Sequence, residues 1–162
     1  MSGFTASGIS TSTVTTTQQA PLGFELTVAT ANKGNQVWVY VKSAAADIIF
    51  GDVCMINGNA TPFEVKETTG QVGQTCVGVA QHNIANGSYG FILKSGPADY
   101  VFTGGSVSAG HLLMSDSSGQ ANTATIGTAA HIASIIGYAE TTDASTTVGS
   151  DTRVTCSAIL RR

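Results

Sequence analysis

Glycine-rich turns interrupt this chain at short, regular intervals, and this feature limits most strongly what the chain can fold into. Short runs of apolar and β-branched residues lie between the turns. Strands spaced by roughly 8–12 residues with Gly-rich connections are typical of a sandwich or a barrel. The sequence therefore predicts an all-β fold, a single β-barrel-like or β-sandwich-like domain of short strands.

Alternating apolar residues predict where the strands lie, and Gly, Pro and Asn predict the breaks between them. Gly96-Pro97, for example, predicts a break between two strands. The best candidate for a helix is 126–135, and it overlaps one of the predicted strands. The predicted strands are 24–29, 37–41, 53–56, 63–67, 76–81, 89–94, 100–103, 111–115, 130–138 and 152–160.

Residues 1–20 differ in character from the β-rich domain expected over residues 21–162. This segment is uncharged up to residue 19, is rich in threonine, and its apolar residues, among them Phe4, Ile9 and Val14, are scattered. Three such side chains cannot form a core alone, so we expect an extended N-terminal arm, either flexible or laid over a partner. Phe4, Ile9 and Val14 are its candidate contacts.

The strand predicted over residues 37–41 is apolar on both faces. Alternation places Trp38 and Tyr40 on one face and three valines on the other. We expect the core to cover one face, and either another layer of the chain or another subunit to cover the second. Trp38 and Tyr40 are therefore candidates for a subunit interface.

Two segments of the chain resemble each other at a constant offset. Gly51-Asp52-Val53 resembles Gly110-His111-Leu112, and Val77-Gly78-Val79 resembles Ile136-Gly137-Tyr138; the offsets are 110 − 51 = 59 and 137 − 78 = 59. The shared offset predicts a repeated β unit over about 51–80 and 110–139, and chance similarity in a Gly-rich chain is the alternative.

Four glycines carry the internal similarity. Gly51 and Gly110 precede apolar strands, where a residue without a Cβ permits an entry at positive φ. Gly78 and Gly137 lie within strands, where glycine allows another backbone or a bulky ring to approach closely. We expect all four to be structural.

Charge and composition exclude several partners. The net charge is −3 and the seven Lys and Arg residues are scattered, so no basic stripe is available for nucleic acid. No apolar run approaches the ~20 residues of a membrane-spanning helix. Residues 1–20 contain no Lys or Arg and no long apolar stretch, so we expect no signal peptide. An odd number of cysteines without a C-x-x-C motif fits a reducing cytoplasm. We expect Cys54, Cys76 and Cys156 to be buried free thiols.

The sequence contains no recognisable catalytic constellation. Gly-x-Ser-x-Gly, P-loop and dinucleotide-binding motifs are absent, and the three histidines share no metal-ligand spacing with Cys, Asp or Glu. A zinc site built on Cys76 and His82 is the least favoured alternative. We therefore expect no enzymatic activity, no cofactor and no metal.

The order of the glycine motifs resembles the small capsid decoration, or cement, proteins of tailed bacteriophages. The similarity covers roughly residues 42–160, and the long Ser/Thr-rich arm departs from the shorter N-termini of that family. The motifs that carry it are Phe50-Gly51-Asp52-Val53, Val77-Gly78-Val79-Ala80, Ile84-Ala85-Asn86-Gly87-Ser88-Tyr89-Gly90-Phe91, Ser106-Val107-Ser108-Ala109-Gly110-His111-Leu112-Leu113 and Ile136-Gly137-Tyr138-Ala139.

The resemblance implies a virion structural protein that binds the outer face of an assembled capsid and stabilises the shell. It implies the major capsid protein as partner, a homotrimer as the bound form, and synthesis in the cytoplasm of the host bacterium. The alternative is a tail, fibre or baseplate component that binds a glycan or a host surface through exposed aromatic residues such as Trp38 and Tyr100. A small hydrolase or metal-dependent enzyme is the third and least favoured hypothesis.

Overall fold

The computed structural model describes residues 9–31, 33–58, 61–70, 76–125, 127 and 129–161. These residues form eleven β-strands and one short helix, which confirms the predicted all-β class. The elements are β1 (Glu25–Thr30), β2 (Gly34–Ser43), β3 (Val53–Ile56), β4 (Glu64–Glu67), β5 (Cys76–Val79), β6 (Tyr89–Phe102), β7 (Leu112–Ser115), β8 (Ala121–Thr123), α1 (Ala129–Ala133), β9 (Ile135–Ala139), β10 (Ala144–Val148) and β11 (Asp151–Leu160).

Five strands of the N-terminal half pair in a closed ring, which we call the first ring. The order is β2–β4–β3–β5–β6, and β6 pairs back onto β2. Among these pairings, β2–β4 is parallel and the others are antiparallel. One apolar cluster contains side chains from all five strands, so it forms the interior of the ring. These side chains are Val39, Val41, Cys54, Val65, Val77 and Ile92.

The C-terminal half repeats this arrangement as a second ring. The C-terminal part of β6 pairs with β11, and the order continues through β9 and β7 to β8. A parallel bridge between Thr103 and Ala121 joins β8 to the residue that follows β6 and closes the ring. The residues at matching interior positions are Val101, Leu113, Ala121, Ile136 and Ala158, and all are buried.

Strand β6 belongs to both rings, and the break predicted at Gly96-Pro97 is wrong. Ser95 pairs with Val37 of β2, whereas Gly96 pairs with Leu160 of β11, so the strand changes neighbours at this point without ending. Gly96 has φ +101°, and a Cβ there would lie 2.2 Å from the Asn35 carbonyl oxygen. Glycine therefore permits a bend here instead of a turn.

The two rings share the same strand register. In the first ring Val53 pairs with Val79, and the register shifts after the next residue pair. In the second ring Leu112 pairs with Tyr138, and the shift comes at the same place. Both residues of the second pair lie 59 positions after those of the first (112 − 53 and 138 − 79). The offset seen in the sequence is thus also an offset in backbone pairing.

The remaining elements lie outside the two rings. Strand β1 forms a hairpin with β2, and β10 forms one with β11. The strand predicted over residues 130–138 begins only at Ile135, because α1 occupies Ala129–Ala133 within the range of the helix candidate. The sequence does not predict β8 or β10, whose Thr- and Ser-rich segments lack a clear apolar alternation.

Candidate interaction surfaces

The described part of the N-terminal arm lies extended along its own domain. Thr15 pairs with Tyr89 as an isolated bridge: the Thr15 N–H donates to the Tyr89 carbonyl at 3.0 Å, and the Tyr89 N–H donates back at 2.8 Å. Further along, the Gln19 N–H donates to the Tyr40 hydroxyl at 3.0 Å. Ala20 is buried in the core. Residues 9–20 are therefore anchored to this chain at several points.

The three arm residues named as candidate contacts have different surroundings. Ile9 is half-buried against the core cluster of its own chain. Val14 is 37% exposed, so it remains available to a partner. Phe4 lies outside the described residues. Of the three, Val14 is the one that the structure places on the surface.

Trp38 and Tyr40 face the interior of their own chain, which corrects their assignment to a subunit interface. Trp38 is 7% exposed and Tyr40 is 1% exposed. Tyr89 and Phe91 of the paired strand β6 flank Tyr40: Tyr40 stacks on Tyr89 at 6.3 Å and meets Phe91 edge-on at 5.1 Å. Partly buried apolar side chains of the arm and of β1 pack against the same core cluster. One chain therefore covers both faces of β2 by itself.

The four glycines of the repeat have the expected structural positions. Gly51 and Gly110 have φ values of +87° and +85°, the left-handed region that favours glycine. Gly78 and Gly137 lie against the next strand, where a Cβ would approach the Leu93 or the Ile159 carbonyl oxygen within 2.5 and 2.1 Å. Matching glycines thus perform matching tasks in the two rings.

A buried ion pair joins the two rings. Asp52, which is 1% exposed, accepts a hydrogen bond from the Arg153 guanidinium, and the Arg153 guanidinium also stacks over the Phe102 ring at 4.1 Å. The second Asp52 oxygen accepts from the Ile49 N–H at 2.8 Å. Burial raises the pKa of Asp52, and the hydrogen bond from Arg153 partly offsets this rise.

Backbone contacts surround this ion pair. The Val53 N–H donates to the Gly119 carbonyl at 2.8 Å, and the Phe102 N–H donates to the Gly51 carbonyl at 2.8 Å. We call residues 49–53 the covered segment, because the second ring lies directly against it. The sequence alone does not single out Asp52 and Arg153 as a pair, since 101 residues separate them (153 − 52).

The matching segment of the second ring, residues 108–112, is open to solvent. We call it the open segment. Leu112 is 36% exposed, whereas its counterpart Val53 is 0% exposed. The signal in the sequence is the offset of 59 itself, which aligns Asp52 with His111. Because both segments have the same fold, the difference in exposure comes from what packs against them.

Of the candidate reactive groups, the thiols are buried and His82 is half-buried. The three cysteines are buried thiols, as predicted. Burial raises the pKa of the Cys156 thiol to about 11 and that of Cys54 well above its ordinary value, which disfavours the reactive thiolate. Burial also lowers the pKa of His82, whose Nε2 has no hydrogen-bond partner in the described structure.

A shallow depression of about 220 Å³ lies between two loops and the start of β11. Its carboxylates are already engaged: Asp47 accepts from the Asn86 N–H at 2.7 Å, and Asp151 accepts from the Asn83 amide at 2.8 Å. Within the described ranges, no three His, Cys, Asp or Glu side chains are grouped closely enough to hold a metal ion. The helix that these ranges contain is too short to cross a membrane.

Comparison of the sequence with protein-family models gave no match, and comparison with curated proteins also gave none.

Proposed function

We propose that this chain is a virion structural protein that binds the outer surface of a phage capsid and stabilises the shell, as a decoration or cement protein. The observation that carries the proposal is the order and spacing of five glycine motifs, which resemble those of that family over residues 42–160. The proposed partners are the major capsid protein and further copies of this chain in a homotrimer. The proposed location is the capsid surface, after synthesis in the host cytoplasm.

The structure supports this proposal because glycines of the motifs have two definite structural roles. Gly51 and Gly110 adopt positive φ at strand entries, and Gly78 and Gly137 admit a neighbouring backbone. The motifs therefore describe a scaffold with two rings and do not describe a catalytic loop. A similar order of motifs in another chain is expected to specify a similar scaffold.

The anchored arm suits binding to a regular surface. Fixing one residue costs about 1–2 kcal/mol of conformational entropy, so an arm that is already ordered loses less on docking. Residues 9–20 are anchored at Thr15 and Gln19, and Val14, next to the first anchor, remains exposed. Many such modest contacts, repeated over a symmetric shell, give a high effective affinity.

The alternative of a glycan-binding tail or fibre component depends on exposed aromatic residues. Trp38 is buried, and Tyr100 is half-buried and packs edge-on against Phe50 at 5.4 Å. These two side chains therefore offer no flat platform on which a sugar could stack. The capsid proposal is favoured over this alternative for that reason.

Co-sedimentation tests the proposal. Purified protein is mixed with mature, empty shells formed by the major capsid protein encoded in the same genome, and the bound copies are counted after centrifugation. We expect saturable binding at a fixed number of copies per shell. Protein that stays in the supernatant at every concentration would contradict the proposal. Protein that is unfolded and kept in denaturant serves as the control for nonspecific trapping with the sedimented shells.

A further inference from the structure

The two rings differ in the connection that follows β5 in the first ring and β9 in the second. In the first ring, the Ile84 N–H donates to the Ile48 carbonyl at 2.8 Å, and in the second ring the Asp143 N–H donates to the Val107 carbonyl at 3.1 Å. Both residues of the second pair lie 59 positions after those of the first (143 − 84 and 107 − 48). Beyond this matched contact, the second ring departs from the first.

The second ring contains an additional hairpin at this point. In the first ring, residues 85–87 fill the connection, and the chain bonds to β2 from Ser88 onwards. In the second ring, residues 144–154 fill it, and β11 pairs with β6 from Thr155 onwards. The second connection is therefore eight residues longer (11 − 3). The extra residues form β10, its turn and the start of β11, and they have no counterpart in the first ring.

Strand β10 is the outer strand of this hairpin. It pairs with β11 through five residue pairs without a register shift, and no other described strand pairs with it. Its sequence, Ala-Ser-Thr-Thr-Val, contains no charged residue and no proline. Proteins commonly protect an edge strand from pairing with another chain by charged side chains, proline or a bulge, and β10 has none of these.

Alternate backbone groups of β10 point away from β11. The turn between the two strands has two residues, so Val148 and Asp151 beside it form a hydrogen-bonded pair, and the pairing alternates from there. Ser145 and Thr147, both exposed, therefore direct their N–H and C=O groups outwards. The carbonyl of Val154, opposite Ser145, confirms this alternation, because it points away from β10 and accepts the N–H of the residue after β6 at 3.0 Å.

Both ends of this outer edge are closed. At one end, the Asp143 N–H already donates to the Val107 carbonyl. At the other end, the chain turns at Gly149, which has φ +61°. The edge therefore accepts a strand of about the length of β10, and that strand must end in a turn beside Asp143. Strand β10 of a second copy meets both requirements, because it has five residues and ends in the turn at Gly149.

We propose that β10 pairs with β10 of a second copy of this chain, antiparallel and about a two-fold axis at Thr146. This register overlaps all five residues of both strands and places Ser145 of each copy opposite Thr147 of the other. Each such pair exchanges two hydrogen bonds, so the outward N–H and C=O groups of both residues find partners. The turn of the second copy then lies beside Asp143, where the edge is closed.

The missing charge of β10 suits a contact in which both copies use the same surface. Like charges that lie opposite each other on paired strands repel, and the whole chain carries a net charge of −3, so an uncharged strand is a place where two copies can approach. The contact uses only five residues of each copy, and we expect it to dissociate on dilution. Because it is two-fold, it is separate from the contact of the proposed homotrimer and does not rest on the proposed function.

Sedimentation equilibrium of the full-length chain tests the contact without a capsid. Ser145→Pro removes an outward N–H and leaves the hydrogen bonds between β10 and β11 in place. At high concentration the wild type should reach twice the mass of this variant, and the two masses should converge on dilution. Ser145→Val is the matched control, because it keeps the N–H and should keep the association. Equal masses of wild type and Ser145→Pro at every concentration would overturn the inference.

Disulfide trapping tests the register and needs no proline variant. Thr146→Cys places two thiols opposite each other in a non-hydrogen-bonded pair, where Cα atoms about 4.5 Å apart suit a disulfide. The natural cysteines are buried, so oxidation should give a covalent dimer through residue 146. Thr152→Cys, at an exposed position one strand in from the edge, is the control and should not cross-link. No dimer of Thr146→Cys, or equal cross-linking of Thr152→Cys, would overturn the inference, whereas co-sedimentation with shells tests the proposed function separately.

Discussion

Gly137 occupies in the second ring the position that Gly78 occupies in the first, and each lies against a carbonyl oxygen of the next strand. Gly78 pairs with Cys54, and Gly137 pairs with Leu113, the residue 59 positions after Cys54 (113 − 54). A Cβ added at Gly78 would lie 2.5 Å from the Leu93 oxygen, and one added at Gly137 would lie 2.1 Å from the Ile159 oxygen. Neither position has room for a side chain.

Alanine at either position should therefore destabilise the fold. Gly78→Ala or Gly137→Ala forces a Cβ against a backbone carbonyl that cannot rotate away, so we expect a loss of about 3 kcal/mol in the free energy of unfolding. Urea denaturation monitored by tryptophan fluorescence measures this loss. Gly149→Ala is the control, because Gly149 has φ +61° and open space, and its cost should be only about 1 kcal/mol.

The ion pair between Asp52 and Arg153 should be coupled strongly. Arg153→Met retains much of the side chain over Phe102 but leaves the buried Asp52 carboxylate without its partner. We therefore expect the free energy of unfolding to fall by about 3 kcal/mol. Asp52→Asn combined with Arg153→Met should recover part of that loss. A double variant less stable than Arg153→Met alone would show that the pair is not coupled in this way.

The pH dependence of the Arg153→Met variant follows from the raised pKa of Asp52. A carboxyl whose pKa is higher in the folded than in the unfolded state contributes stability below the unfolded pKa and loses it as pH rises through the folded pKa. Removing Arg153 removes the hydrogen bond that lowers the pKa of Asp52, so the folded-state pKa rises further. Relative to wild type, the variant should therefore be least stable near neutral pH and should approach the wild type as the solution becomes acidic.

The three thiols should be unreactive in the native protein. Cys54, Cys76 and Cys156 are buried, and burial holds the pKa of Cys156 at about 11. Titration with a thiol-specific chromogenic reagent at mildly alkaline pH should detect almost no reaction before unfolding and three thiols per chain in denaturant. Rapid native reaction of even one thiol, with the fold intact by circular dichroism, would contradict the described packing.

His82 should make the protein sensitive to mild acid. Burial lowers its pKa in the folded state below the ordinary value of 6.5, so it contributes stability above that value and loses it as pH falls towards the folded pKa. Thermal melting between about pH 7.5 and pH 5.5 should show this decline in wild type. The decline should be smaller in His82→Gln, and equal slopes in the two proteins would contradict the assignment.

The local pattern of the sequence predicts much of the fold. Strand β3 has the predicted bounds, residues 53–56, because apolar side chains and flanking turns define it locally. The pattern fails where a distant neighbour decides the structure. Gly96 and Pro97 are breakers by themselves, yet here they allow one strand to pass from β2 to β11.

The candidate contacts are harder to predict than the strands. Alternation places Trp38 and Tyr40 on one face of β2, but the sequence cannot show that other parts of the same chain bury that face in one core cluster. Asp52 and Arg153 meet only because the two rings pack together. Gly51 and Gly110 can be predicted because positive φ at a strand entry is a local property of the backbone. Gly78 and Gly137 approach carbonyl groups of other strands, so only the offset of 59 marks them in the sequence.

The most direct test of the central proposal is the melting temperature of the shell itself. Differential scanning calorimetry is performed on mature, empty shells alone, with saturating protein, and with saturating protein that carries Val14→Glu in the exposed part of the arm. We predict a higher melting temperature for shells with bound wild-type protein and a smaller increase with the variant. An unchanged melting temperature in shells that demonstrably carry the protein would contradict a stabilising role.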